Sequence, residues 1–209
     1  MGGGERDYAL SLLKRRPLRY AIGAGAGPAA LAALERAARA GAGLVQVRDK
    51  AASTRVLVDA CRRLRAALAG SGTLLLVNER WDVALAAGLD GVHLPEAAAP
   101  AARVRACAPS LLLGRSCHSA AAAVAAAAEG CDYCLLGPVF ATPSKAAFGP
   151  PLGLDELERA ARAPIPVLAL GGVTAANQAA CLVRGAAGVA AIRLFAAGAE
   201  PDAGEVRRI

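Results

Sequence analysis

The stretch Gly43-Leu-Val-Gln-Val-Arg-Asp-Lys50 runs directly into Ala51-Ala-Ser-Thr-Arg-Val-Leu-Val-Asp-Ala-Cys-Arg-Arg-Leu-Arg-Ala-Ala-Leu-Ala69. Leu44, Val45 and Val47 make the first part a short apolar run of strand type, while apolar residues at three- and four-residue intervals make the second a helix over 52–69. The strand turns polar at its end: Gln46, Arg48 and Lys50 alternate, so on an extended chain they share one face. An amide, a guanidinium and an ammonium gathered there without a partner would cost several kcal/mol, so the pattern reads as an anion site for phosphate or pyrophosphate.

The same unit recurs along the chain. Strands are expected near 18–23, 43–48, 73–77, 90–94, 110–114, 132–137, 165–170 and 188–192. Helices are expected near 28–40, 52–69, 80–88, 100–108, 118–129, 153–162 and 174–184, with a short last one near 194–198. Such alternation implies parallel strands with right-handed crossovers, and eight units in 209 residues fit a single (β/α)8 TIM barrel better than an open sheet. No Pro/Ser-rich linker divides the chain. Residues 1–17 form an N-terminal extension with a helix around 7–15, and 18–209 form the barrel.

Composition removes several function classes. The chain is 56% hydrophobic but only 3% aromatic, so its core is aliphatic and stacking residues for nucleic acid are nearly absent. A formal charge of +7 suits anionic small molecules instead, because the arginines are spread along helices. The alanine run 120–128 falls well short of the roughly 20 apolar residues of a membrane span. The N-terminal Met1-Gly-Gly-Gly-Glu-Arg-Asp7 lacks the apolar stretch of a secretory signal, so the expected compartment is the cytoplasm. The six cysteines show no zinc spacing and are expected to be reduced. Cys131-Asp-Tyr-Cys134 enters an apolar strand rather than opening a helix, which argues against a redox or metal role.

In a barrel of this kind, chemistry belongs at the C-terminal ends of the strands. The polar residues that follow the strands are Arg48 and Lys50, Asn78 and Glu79, His93, Ser116 and His118, the stretch Thr142 to Lys145, and Gly171-Gly172. The sixth loop, Gly137-Pro-Val-Phe-Ala-Thr-Pro-Ser-Lys145, is longer than a tight turn and offers the hydroxyls of Thr142 and Ser144 beside Lys145, suited to closing over a phosphorylated ligand. Gly171-Gly172 and the segment ending at Ile192-Arg193 follow strands seven and eight, where backbone N–H groups commonly hold a phosphate.

These segments, from about Leu18 to Pro201, resemble the thiamine phosphate synthase family and its close relative, the thiazole tautomerase. The resemblance is carried by Gln46-Val-Arg-Asp-Lys50, Leu76-Val-Asn-Glu79, Asp90-Gly-Val-His-Leu94, Gly114-Arg-Ser-Cys-His118, Gly137-Pro-Val-Phe, Thr142-Pro-Ser-Lys145, Pro151-Leu-Gly153 and Ala169-Leu-Gly-Gly-Val173. It implies a synthase that joins hydroxymethylpyrimidine diphosphate to thiazole phosphate and releases pyrophosphate. Arg48, Lys50 and Lys145 would stabilise the leaving group, with Ser116 and His118 as further catalytic residues and Mg2+ bridging phosphate oxygens. Gln46 and Asn78 would orient diphosphate and pyrimidine; His93 counts with the substrate-binding residues but reads first as a structural residue of the barrel wall. Thr142, Ser144, Gly171, Gly172, Ile192 and Arg193 would hold the thiazole phosphate; the family usually has serine where Arg193 stands.

The chain departs from the family at the metal. The synthase pattern carries one aspartate beside the asparagine and a second in a Gly-Gln-Glu-Asp stretch, where this sequence has Glu79 and Pro95-Glu-Ala-Ala98. Glu79 and Glu96 are then the implied Mg2+ ligands, and Ala98 stands where the second carboxylate is expected. The tautomerase relative moves a proton within a carboxythiazole phosphate, needs no such metal, and has its catalytic histidine at the position of His118. A third reading is a non-catalytic binder of thiamine precursors. The resemblance also implies a possible homodimer, with no nucleic-acid or membrane partner.

Overall fold

The structure is a computed structural model and describes residues 3–142, 149–192 and 194. A helix α1 (Gly3–Leu12) precedes eight strands: β1 (Leu18–Ile22), β2 (Leu44–Val47), β3 (Leu74–Asn78), β4 (Gly91–Leu94), β5 (Leu112–Cys117), β6 (Tyr133–Leu136), β7 (Val167–Leu170) and β8 (Gly188–Ala191). Seven helices connect them: α2 (Pro28–Arg39), α3 (Thr54–Ala67), α4 (Trp81–Ala87), α5 (Ala101–Cys107), α6 (Ala120–Ala128), α7 (Gly153–Ala160) and α8 (Gln178–Val183). Every neighbouring strand pair is parallel, and β8 pairs with β1 through Leu18↔Gly188 to Ala21↔Ala191, so the sheet closes in sequence order. The expected (β/α)8 TIM barrel is the observed architecture. The last helix expected near 194–198 lies, but for Leu194, outside the described residues.

The two-residue period of the strands sorts the core into two layers. Inward-facing Tyr20, Leu44, Leu74, Leu76, Leu112, Tyr133, Leu135 and Leu168 fill the barrel interior, and Ala9, Leu12 and Leu13 of the N-terminal segment pack into the same cluster from the end opposite the polar strand termini. Outward-facing residues such as Val45, Val47, Leu75, Val77, Leu113, Leu136 and Ala169 pack against the apolar faces of the helices. Gly114 makes room in the interior, since a Cβ there would overlap the Tyr133 ring.

The element boundaries differ from expectation where polar chemistry masks a strand or fakes a helix. The fifth strand, expected at 110–114, runs to Cys117 because Arg115, Ser116 and Cys117 pair with Cys134, Leu135 and Leu136 of β6. The second strand stops at Val47; Arg48 makes only an isolated antiparallel bridge with Gly25, so the strand alternation does not extend through Arg48 to Lys50. The eighth helix, expected from 174, begins at Gln178: Asn177 Oδ1 accepts the Thr174 N–H at 2.8 Å and Asn177 Nδ2 donates to the Gly172 carbonyl at 3.0 Å, forming a turn instead. The N-terminal helix lies earlier than the expected 7–15, ending before the basic run Lys14-Arg15-Arg16, which leads into Pro17.

Candidate active site

The C-terminal ends of the strands surround a cavity of about 540 Å3. β2 contributes Gln46 and the residues that follow it contribute Arg48 and Lys50; β3 contributes Asn78, β4 His93, and β5 Ser116, followed by His118. The loop after β4 adds Glu96, the sixth loop adds Thr142, the turn after β7 adds Gly171 and Gly172, and the end of β8 adds Ile192. Twelve of the sixteen expected site residues thus line one cavity. Ser144, Lys145 and Arg193 lie outside the described residues, and Glu79 is not in the cavity lining.

Arg48 and Lys50 owe their position to the residue between them. Asp49 accepts the backbone N–H groups of Ala26, Ala51 and Ala52 at 3.1, 3.0 and 3.0 Å, stitching this loop to the one after β1. Hydrogen bonds from Ala51 and Ala26 hold its carboxyl below the usual range. Neither Arg48 nor Lys50 forms a salt bridge with a carboxylate among the described residues, which leaves both charges available to an anion in the cavity.

Opposite them, the glycine pair closes the cavity tightly. Gly171 and Gly172 have φ of 89° and 66°, and a Cβ on Gly172 would lie 2.7 Å from both the Ala141 carbonyl oxygen and Phe140 Cβ. Only glycine fits this backbone and this approach, which keeps the β7 turn against the sixth loop.

The middle of the site is a buried polar group rather than a charged one. Gln46, 1% exposed, accepts a hydrogen bond from Tyr20 OH at 2.8 Å and donates to Asn78 Oδ1 at 3.2 Å. His93, 3% exposed, bonds Ser116 Oγ through Nε2 at 2.9 Å and Tyr133 OH through Nδ1 at 3.2 Å. Burial, and then the nearby Arg48 charge, push the His93 pKa down to about 3, so the ring is neutral at physiological pH. Burial likewise raises the phenols of Tyr20 and Tyr133 and keeps them protonated. Tyr20 and Tyr133 were absent from the expected site. The available signal was a tyrosine at an inward position of a strand, since a buried phenol needs a partner.

At the other rim, His118 Nδ1 donates to the Gly137 carbonyl and Nε2 lies 3.7 Å from Glu96 Oε2, an ion pair whenever the ring is protonated. Arg115 fixes the loop that carries Glu96: its guanidinium donates to the carbonyls of Glu96, Ala98 and Ala99 and pairs with Glu129 at 3.1 Å. Ala98 itself is half-buried against the core. Among the described residues no three of His, Cys, Asp or Glu converge on a metal position. Glu79 takes the left-handed conformation, φ 64°, with its N–H on the His93 carbonyl. The six cysteines are free; burial pushes the Cys131 thiol up to about 12, and the contact with Cys117, with burial, raises Cys134. Raised thiols are poor nucleophiles and poor ligands.

A closed parallel barrel with cations on one side of its mouth and a glycine turn on the other defines a phosphate-handling barrel enzyme. The chain matches the family described as thiamine monophosphate synthase over residues 22–195, and it belongs to that family. It is 46% identical to a putative thiamine-phosphate synthase of Geobacter sulfurreducens over 82% of this chain and 81% of the relative, and 48% identical to a thiamine-phosphate synthase of Methanoculleus marisnigri over 75% of each. Among solved structures, a thiamine phosphate pyrophosphorylase from Pyrococcus furiosus superposes with a TM-score of 0.81 at 30% identity, covering 90% of this chain and 92% of that one. No helix among the described residues is long and apolar enough to cross a membrane.

Proposed function

We propose that this chain is a thiamine-phosphate synthase of thiamine biosynthesis, a transferase that joins hydroxymethylpyrimidine diphosphate to thiazole phosphate and releases pyrophosphate. The observation that carries the reading is the single cavity shared by Arg48, Lys50, Gln46, Asn78 and Gly172 at the strand ends. Its volume suits two small substrates side by side. In this reading the bond between the pyrimidine methylene and the diphosphate oxygen breaks, and the thiazole nitrogen forms the new bond to that methylene. Arg48 and Lys50, joined by Lys145, stabilise the departing pyrophosphate as preorganised positive charge. Gln46 and Asn78 orient the pyrimidine. Thr142, Ser144, Gly171, Gly172, Ile192 and Arg193 hold the thiazole phosphate, and residues 18–209 act as the catalytic unit with 1–17 as an extension.

The donor set accommodates Mg2+ only in a limited way. Glu96 is the one carboxylate in the cavity lining among the described residues, with Glu79 one strand away, and Mg2+ is often held by one or two carboxylates together with substrate phosphates. When bound it would neutralise diphosphate charge. Formation of thiamine phosphate from both substrates with Mg2+ tests the reading, and no product at saturating substrate and metal sinks it.

A second reading is favoured by the Glu96–His118 pair on the cavity rim together with Ala98: tautomerisation of a carboxythiazole phosphate, with His118 taking and returning the proton. Conversion without metal, lost in His118→Asn, would establish it. Phosphorylated substrates that do not cross membranes support a cytoplasmic site of action. The family resemblance alone supports a homodimer, and light scattering on the purified chain decides it.

A further inference from the structure

A single file of side chains crosses the barrel beneath the cavity. Ser116 Oγ meets His93 Nε2 at 2.9 Å, His93 Nδ1 meets Tyr133 OH at 3.2 Å, Tyr133 OH meets Tyr20 OH at 3.1 Å, Tyr20 OH meets Gln46 Oε1 at 2.8 Å, and Gln46 Nε2 meets Asn78 Oδ1 at 3.2 Å. Both ends open on the cavity, while Tyr20 and Tyr133 are fully buried. The three rings pack against one another, Tyr20 edge-on to both His93 and Tyr133 and His93 stacked on Tyr133, so none can turn aside.

The Gln46 amide sets the direction of every bond in the file. Its carbonyl oxygen can only accept, so Tyr20 spends its one proton on Gln46 and must accept from Tyr133. Tyr133 spends its proton on Tyr20 and must accept from His93, which requires the proton of the neutral ring on Nδ1. Nε2 is then bare and accepts from Ser116. At one end Ser116 is left with only lone pairs for the cavity; at the other, Asn78 Oδ1 is occupied by Gln46 and its Nδ2 hydrogens remain. Breaking any link would strand a buried donor or acceptor.

We propose that Tyr20, Tyr133 and His93 are positioning residues of a one-way hydrogen-bond relay that fixes Ser116 Oγ as an acceptor and Asn78 Nδ2 as a donor, making the cavity select an aminopyrimidine edge over its oxo analogue. The selectivity rests on the synthase reading; the relay does not. An aminopyrimidine presents a donor beside an acceptor, and replacing the amino group by a carbonyl inverts both, so the oxo compound faces the relay with the wrong sign at each end.

The chain has only two histidines, so ring-nitrogen NMR of the isotope-labelled protein reads the His93 tautomer without ambiguity. The expected result is a protonated Nδ1 and bare Nε2 in the wild type, moving towards Nε2–H in Tyr133→Phe and Tyr20→Phe, which remove the acceptor of His93 or free Tyr133 to donate to it. In parallel, hydroxymethylpyrimidine diphosphate should bind at least about tenfold tighter than its oxo counterpart, with the preference falling to near unity in either variant. Nε2–H in the wild type overturns the relay, and an unchanged binding ratio in both variants, or no preference in the wild type, overturns its role in selectivity. If Tyr133→Phe fails to fold, Tyr20→Phe and the wild-type spectrum decide the same two points. A wild type that shows the expected tautomer and preference yet forms no product fails the synthase reading alone.

Discussion

Asp49 lies between the two cations of the second loop and accepts three backbone N–H groups, so that one carboxylate rather than strand pairing determines where Arg48 and Lys50 stand. Asp49→Ala is expected to raise KM for the diphosphate substrate about tenfold, the effect of letting two pre-positioned charges wander, and to lower the urea midpoint as three backbone N–H groups lose their acceptor. If Arg48 stabilises the departing pyrophosphate as proposed, Arg48→Ala should lower kcat about a hundredfold in steady-state assays, with a smaller change in KM. At Gly114 the constraint is steric: an alanine Cβ would overlap the Tyr133 ring. Gly114→Ala should therefore destabilise the protein by about 1–3 kcal/mol in urea unfolding.

At the scale of elements, the end of the barrel opposite the site is held by a buried carboxylate at the start of β6. Asp132 accepts from Arg6 of α1 at 2.6 Å, from Arg105 of α5 at 2.7 Å and from the Leu113 N–H of β5 at 2.8 Å, so one side chain ties three elements together. Removing it leaves the Arg6 guanidinium and the buried Leu113 N–H without their acceptor, while Arg105 keeps the carbonyls of Pro109, Leu111 and Gly130. Asp132→Ala should cost about 3 kcal/mol in denaturant unfolding, and protease should cut the α1 segment first, since α1 loses its polar anchor to the strands. These elements were readable in the sequence because their apolar spacing differs, two residues in strands and three to four in helices. Beside the shifted ends of α1 and β2, the differences fell at β5, where Arg115-Ser116-Cys117 resembles a loop until β6 pairs with it, and at α8, where Thr174 to Asn177 resembles a helix start until the Asn177 amide folds the chain into a turn.

For the whole molecule, burying a neutral histidine makes stability depend on pH. His93 binds a proton in the unfolded chain near its ordinary pKa and in the folded one only near 3, so the unfolded state carries more protons between those limits. Its contribution is fully present above about pH 6.5 and is lost as pH falls towards 3, on the order of 5 kcal/mol across that window. Urea midpoints measured at pH 7 and pH 4 should therefore converge in His93→Gln relative to the wild type; an equal acid loss in both would assign the sensitivity elsewhere.

The alternation of apolar periods was enough to determine a parallel barrel, and the polar residues at its strand ends were enough to mark the mouth and the anionic character of its ligand. Both follow from local chemistry, since side-chain direction in a strand or helix depends only on neighbours in the chain. Which polar groups would meet each other depended on closure. Tyr20 and Tyr133 stand 113 residues apart and touch only because β8 pairs with β1 and brings the strand ends around a common interior. The cations of the second loop were legible as residues; the neutral hydrogen-bonded file beside them exists only once the barrel has buried its members together, where each phenol, amide and imidazole must find its partner across the sheet.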